Sequence, residues 1–106
     1  MSQPNVLKTV TLTATGVAQN LLLALQAVDP SVLGAYREVN LQADPGNGVP
    51  NVLIGDDQLS TSRVGVSLNQ GQTRNYREGL MAGVPIANMF FLASSGSPRL
   101  NVELIM

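Results

Sequence analysis

Short runs of alternating apolar and polar residues, separated by turn signals about every ten residues, are the feature that most constrains the fold of this chain. In the clearest run, residues 36–43, Val39, Leu41 and Ala43 alternate with polar residues. Successive side chains of a β-strand point to opposite faces, so this run predicts a strand with one buried face. The loop 44–50 that follows has two prolines and two glycines, which are typical of a turn.

The same alternation recurs along the chain and predicts further strands at residues 7–14, 63–68 and 99–106. Short apolar runs predict buried strands at residues 51–55 and 86–93, and residues 73–78 are predicted to form a polar strand. Segment 73–78 is the most polar of them and is predicted to lie at a sheet edge, where charge discourages unwanted pairing.

Segment 17–28 fits two structures. It is rich in leucine and alanine, and its apolar residues recur with helical spacing from Val17 to Val28, which favours a helix. Leu23 and Leu25, however, alternate with Ala or Gln as they would in a strand. The prediction is a strand, because the segments on both sides are predicted strands, with the helix as the alternative.

Counted together, these segments give about eight short strands. Eight antiparallel strands suit a two-sheet jelly roll. We therefore predict an all-β fold, an antiparallel β-sandwich that is jelly-roll-like, with a single domain over residues 1–106. Residues 1–6 are predicted to form a short N-terminal arm.

Charge is scarce and balanced. Charged residues make up 12% of the chain, about half the usual fraction, and the formal net charge is −1. A surface of uncharged polar residues favours packing against neighbouring copies, so a homo-oligomer is predicted. A nucleic-acid partner is not expected, since it needs clustered basic residues. The longest apolar run, Leu21–Leu25, is far too short for a membrane helix, so no membrane partner is expected.

The residue types that carry most enzyme chemistry are missing. The chain has no cysteine and no histidine, which excludes thiolate chemistry and imidazole acid–base catalysis. The carboxylates Glu38, Glu78 and Glu103 lie at outward positions of predicted strands, which is typical of solubilising residues. We predict that the protein is not an enzyme and has no catalytic residue.

Acidic loop residues are the only candidates for a metal site. Asp56 and Asp57, with Asp44, could supply oxygen ligands, but the spacing lacks the closing bidentate glutamate of a calcium loop. We expect no metal site and no cofactor.

One apolar segment suggests a contact surface. Phe90 and Phe91 are adjacent, so a strand would point them to opposite faces. One would fill the core, and the other would need cover from a loop or from another subunit. The candidate interface residues on this basis are Met89, Phe90, Phe91, Tyr76, Leu80 and Met81.

The order of segments resembles that of small virion proteins of tailed phages. The resemblance rests on residues 39–47, 52–55, 64–71, 89–97 and 100–104, about two-thirds of the chain from Val39 onward. It implies a jelly-roll-like sandwich, often trimeric, used as a cement or decoration protein on the capsid. The implied location is the virion, and the implied partners are other copies and the major capsid protein or other virion proteins. Small proteins of this kind also occur in the neck, tail or fibre.

The leucine-rich segment 21–28 departs from that pattern, and no individual functional residue can be carried over. The rival hypothesis is a ligand- or carbohydrate-binding sandwich module. Sugar sites usually stack aromatic rings on the ligand, and this chain has no Trp and only Tyr36 and Tyr76 as tyrosines.

Overall fold

The computed structural model describes residues 7–78 and 83–106. The predicted N-terminal arm, residues 1–6, lies outside them. The described elements are β1 (Leu7–Thr13), β2 (Gln19–Asn20), α1 (Leu21–Val28), β3 (Ala35–Tyr36), β4 (Glu38–Ala43), β5 (Val52–Gly55), β6 (Val66–Leu68), β7 (Thr73–Arg77), β8 (Val84–Pro85), a 3₁₀ turn (Ile86–Asn88), β9 (Phe90–Ala93) and β10 (Arg99–Ile105).

Eight of the described strands form two antiparallel four-stranded sheets. The first sheet has the order β1-β10-β4-β7, and the second has the order β2-β9-β5-β6. The two-residue strands β3 and β8 pair with each other at one side. The fold is therefore the predicted all-β antiparallel sandwich.

The connectivity is that of a jelly roll. If the short β3–β8 pair is set aside, the eight remaining strands follow the order first, eighth, third, sixth in one sheet and second, seventh, fourth, fifth in the other. Every step along the chain except that from the fourth strand to the fifth crosses between the sheets, as in an eight-stranded jelly roll. The predicted topology is thus confirmed by the strand order.

One hydrophobic core fills the space between the sheets. The inward residues predicted for β4, Val39, Leu41 and Ala43, are fully buried, while the alternate residues of that strand are partly exposed. β10 repeats this pattern with Leu100, Val102 and Leu104, and the second sheet contributes Val52, Ile54, Phe91 and Ala93. Burial of this apolar surface is the main stabilising term of the fold.

The strand prediction for residues 17–28 is wrong beyond Asn20, because the chain forms helix α1. Asn20 caps this helix, accepting a hydrogen bond from the N–H of Leu23 at 3.0 Å. Leu21 and Leu25, one helical turn apart, are buried in the core. Val17 and Val28 are 73% and 61% exposed, so only the centre of the predicted helical stripe faces inward.

Two predicted strands are shorter than expected. Segment 86–93 begins with a 3₁₀ turn in which the N–H of Met89 donates to the carbonyl of Ile86 at 3.2 Å, and strand β9 starts only at Phe90. Segment 63–68 becomes a strand only at Val66. In both cases the residues before the strand bond to local partners, which alternation alone does not reveal.

The predicted turn in loop 44–50 is confirmed, since the N–H of Asn47 donates to the carbonyl of Asp44 at 3.0 Å. At the turn from β6 to β7, the N–H of Gln72 donates to the carbonyl of Asn69 at 2.9 Å, and Gly71 between them has a φ of 79°. A left-handed φ at this position suits glycine because other residues have a Cβ that clashes there. Segment 73–78 is confirmed as an edge strand, since β7 ends the first sheet.

Candidate interaction surface

The two phenylalanines lie on opposite faces of β9, as predicted. Phe91 is 1% exposed and belongs to the main core, so it is not part of the surface of the single chain. Phe90 is half-buried beside a second, small apolar cluster on the outside of the second sheet, formed by Leu53, Leu59 and Leu92. The cover that the sequence required therefore comes, in the described residues, from a loop of the same chain.

That loop is residues 56–65, and two glycines let it approach the sheet. Gly65 donates its N–H to the carbonyl of Ile54 at 3.0 Å, and a Cβ on Gly65 would lie 2.9 Å from the same oxygen. A Cβ on Gly55 would lie 2.9 Å from Leu59 Cδ1. Real Cβ atoms are not found at such distances, so a side chain at position 65 would push the loop away from the main chain of β5, whereas at position 55 the end of the flexible Leu59 side chain could move aside.

The other predicted interface residues are scattered. Met89 and Tyr76 are partly buried against the main core, and the guanidinium of Arg74 lies 5.6 Å from the centre of the Tyr76 ring. Leu80 and Met81 lie outside the described residues. Contact of this set with another molecule stays a prediction. The structure shows all three as partly exposed, with Met89 and Tyr76 packed against the main core and Phe90 against the small cluster.

A second surface, which the sequence analysis missed, is the outer face of the first sheet. One row across this sheet joins three strands through side chains. Thr11 Oγ1 donates to Asn101 Oδ1 at 3.0 Å, and Asn101 Nδ2 donates to Gln42 Oε1 at 3.2 Å and to Asp44 Oδ1 at 3.0 Å. The strand register places Thr11, Asn101 and Gln42 directly opposite one another, which makes the row possible.

A parallel row lies two residues further along the strands, at the next position on the same face. Asn40 Nδ2 donates to Glu103 Oε1 at 2.7 Å, and Asn75 Nδ2 donates to Asn40 Oδ1 and, at 2.6 Å, to Glu38 Oε2. We call the two rows together the polar face. The outward alternation of polar residues in the predicted strands indicated a wet face. It could not indicate that the side chains bond to each other, because that depends on which strands are neighbours.

A shallow depression of about 450 Å³ lies on the polar face. Its lining consists of Thr9, Val10, Thr11, Asn40, Gln42, Thr73, Asn101, Val102 and Glu103. These groups offer hydroxyls, amides and one carboxylate, and no aromatic ring is among them.

The carboxylates of this region serve as hydrogen-bond acceptors. Glu103 is held by Asn40, and Glu38 is held by Asn75 and lies 3.8 Å from Arg77. Glu78 lies 3.9 Å from Arg37 on another part of the surface. Each of the three glutamates is thus engaged by a different partner, and no two of them are held together as an acid–base pair would be.

The acidic loop residues have local structural roles. Asp44 accepts bonds from Asn101, from the N–H of Gly46 and from Arg99, and these interactions lower the pKa of its carboxyl. Asp56 accepts a bond from the N–H of Gln58 at 2.9 Å and so shapes the start of the 56–65 loop. Within residues 7–78 and 83–106, no group of three or more acidic, histidine or cysteine residues could hold a metal ion.

The two edges of the first sheet differ. At the β1 edge, the N–H of Ala14 donates to the carbonyl of Pro98 at 2.8 Å, which fixes the alternation of hydrogen-bonded pairs between β1 and β10. Even-numbered residues of β1 therefore bond to β10, while Thr9, Thr11 and Thr13 direct their N–H and C=O groups away from the sheet. In the part of the chain that the structure describes, no hydrogen bond reaches these outward groups. We call this the open edge.

At the β7 edge, the bonds from Ala43 N–H to the Gln72 carbonyl and from Glu78 N–H to the Arg37 carbonyl show that odd-numbered residues point outward. This strand contains Arg74 and Arg77. Charge on an edge strand discourages pairing with another chain. We call the β7 edge, which carries these two arginines, the guarded edge. The β1 edge has no arginine.

Comparison with known protein families, with curated proteins and with solved structures gives no match for this chain. A helix long and apolar enough to cross a membrane is not found among the described residues. The function must therefore be argued from the surfaces of the jelly roll itself, because one fold serves many functions.

Proposed function

We propose that the protein is a structural component of a tailed-phage particle that works through protein–protein contacts. In this proposal it is a homo-oligomer, a trimer as the resemblance implies, and binds the major capsid protein as a cement or decoration protein of the virion. The neck, tail or fibre is the alternative position in the particle.

The observation that carries this proposal is the ordering of the polar face. Side chains of Thr11, Asn101 and Gln42, and of Glu103, Asn40 and Asn75, are held in place by one another before any partner binds. Binding normally costs conformational entropy when surface side chains become fixed. A surface whose polar side chains are already fixed loses less conformational entropy when a partner binds, which favours a role in assembly.

The chemistry of the face supports contacts rather than catalysis. General acid–base catalysis needs groups that are free to exchange protons with a substrate held in a cleft. Here Glu38 and Glu103 each accept a short hydrogen bond from an amide, and the depression is shallow. Jelly rolls of this topology are found in viral capsid proteins, which makes the proposal consistent with the fold.

A pair of variants tests whether the polar face makes the contact. Asn101→Lys places a charge at the centre of the face, and Ser67→Lys places the same charge at an exposed site of β6 in the second sheet. Asn101→Lys should weaken co-sedimentation with purified particles about tenfold, an effect equivalent to breaking one good contact. Ser67→Lys should bind like the wild type.

Light scattering gives the second readout. The wild type should have a mass of more than one chain at high concentration. A wild type that stays a single chain and also fails to co-sediment with particles of its phage would overturn the proposal.

A carbohydrate-binding module is the second candidate, and the depression on the polar face favours it. Its hydroxyl, amide and carboxylate groups match the hydrogen-bonding groups of a sugar. The missing aromatic platform argues against it. A glycan array gives the decision: a selective hit that Asn101→Lys abolishes and Ser67→Lys retains would replace the assembly proposal with this one.

A further inference from the structure

The open edge of β1 presents a row of exposed main-chain N–H and C=O groups that an added extended strand can pair with. We propose that β1 pairs antiparallel with β1 of a second copy across a two-fold axis, joining the two first sheets into one continuous sheet. The proposal rests on the homo-oligomeric function proposed above and names the surface by which copies meet.

The strand itself is suited to such pairing. β1 has seven residues, and its centre, Thr9 to Thr13, contains only threonine, valine and leucine, which favour β structure. Its one charge, Lys8, is engaged by Asp29, with 3.1 Å between Lys8 Nζ and Asp29 Oδ2. A long uncharged edge is a template for strand addition.

Self-pairing satisfies the geometry of the open edge. Both partners must oppose odd-numbered residues, because only these direct N–H and C=O groups outward. The register that uses all seven residues places Thr9 opposite Thr11 of the second copy and Leu7 opposite Thr13, with Val10 opposite Val10. Lys8 then faces Leu12, so the two positive charges do not oppose each other.

The remaining described edges are poor partners. β7 contains Arg74 and Arg77, and the edge strands of the second sheet, β2 and β6, have only two and three residues. An isologous two-fold contact also needs no second type of surface. It produces assemblies with an even number of chains, either a dimer or a pair of trimers.

A single cysteine tests the register, since the native chain has none. In the proposed register, the Cα atoms of the two Val10 residues form a non-hydrogen-bonded pair about 4.5 Å apart, within the range of a disulfide. Val10→Cys should therefore give a covalent dimer under mild oxidation. Leu12→Cys, on the same face of the same strand, should not, because it opposes Lys8.

A proline pair tests the edge without cysteine. Thr9→Pro removes an outward N–H and leaves every hydrogen bond from β1 to β10 in place, and the Thr9 side chain takes no part in the hydrogen-bonded rows of the polar face. Thr73→Pro makes the same change at an outward position of the guarded edge. By sedimentation equilibrium, Thr9→Pro should raise the dissociation constant of the two-fold contact at least about tenfold, and Thr73→Pro should leave it unchanged.

The outcomes separate this inference from the proposed function. A wild type that binds particles and self-associates, while Val10→Cys never cross-links and Thr9→Pro associates normally, overturns the β1 contact alone. Pairing of β1 with the strand of a different protein would show as a Thr9→Pro defect in particle binding with no Val10→Cys dimer, and it also overturns the two-fold contact. A cross-linked dimer that does not bind particles supports the contact and counts against the virion role.

Discussion

Lys8 Nζ lies 3.1 Å from Asp29 Oδ2, and this ion pair joins the start of β1 to the residue that ends helix α1. The two residues are 21 positions apart in the chain. Asp29 also accepts hydrogen bonds from the hydroxyl and the N–H of Ser31, at 2.6 and 3.0 Å. These bonds to Ser31, with a smaller contribution from Lys8, lower the pKa of Asp29 from 3.8 to about 2.

The lowered pKa of Asp29 predicts a particular acid sensitivity. A carboxyl with a lower pKa in the folded than in the unfolded state stabilises the fold above the unfolded value and loses this contribution as pH falls through the folded value. The wild type should therefore lose stability as pH falls from about 4 to about 2. Asp29→Asn should be less stable than the wild type at pH 7, and the difference should shrink in that window, measured by urea denaturation at each pH.

Asp57→Asn is the control for this experiment, because it removes an exposed carboxylate from the 56–65 loop. Its difference from the wild type should not follow the same profile. Parallel stability curves for Asp29→Asn and the wild type from pH 7 to pH 2 would show that Asp29 has no such role.

The two phenylalanines should differ in their contribution to stability. Phe91 fills the main core, and Phe91→Ala should destabilise the protein by about 3–5 kcal/mol. Phe90 is half-buried beside the small cluster, so Phe90→Ala should cost about 1–2 kcal/mol, in proportion to the smaller apolar area it covers. Denaturant midpoints measure both, and equal losses would contradict the assigned faces of β9.

Glycine at position 65 should be required for the loop that covers the second sheet. Gly65→Ala places a Cβ 2.9 Å from the carbonyl oxygen of Ile54, and the resulting shift should cost about 1–3 kcal/mol. Gly16→Ala is the matched control, because a Cβ there has no neighbour within 4 Å and should be neutral or slightly stabilising. Thermal unfolding distinguishes the two variants; similar melting temperatures would count against the close approach of loop and sheet.

Asn20 should have two separable roles at the start of α1. Its Oδ1 caps the helix at Leu23, while its Nδ2 donates to the carbonyl of Ala87 at 2.8 Å. Asn20→Ala removes both bonds and should cost about 1–2 kcal/mol. Asn20→Ser keeps a good capping residue and loses the bond to Ala87 without placing a charged oxygen beside that carbonyl, so its loss of stability should be smaller. A Ser variant as unstable as the Ala variant would place the whole effect on the Ala87 bond.

The sequence was sufficient to predict the sandwich, because alternation reports directly on which face of a strand is buried. Val39, Leu41 and Ala43 are buried as predicted, and the polar segment that includes Arg74 and Arg77 lies at a sheet edge. The helix was missed because its eight residues, which are leucine, alanine, glutamine and one valine, have both periodicities. The deciding signal was the cap residue Asn20, which stands immediately before the leucines.

The candidate surfaces were harder to predict for a different reason. That Phe90 and Phe91 point to opposite faces follows from local geometry, but the covering residue, Leu59, is supplied by a loop distant in sequence. The polar face likewise depends on β10 lying between β1 and β4. Strand order is a property of the whole chain, and no local pattern contains it.

The outward threonines of β1 have a consequence for how such a protein changes over generations. In the proposed pairing of β1 with a second copy, the interface is formed by main-chain atoms and tolerates any residue that keeps the strand extended, so Thr9 and Thr13 could be replaced while the contact persists. Lineages that share this mode of association can drift apart in sequence until only the spacing of their strands and turns still relates them.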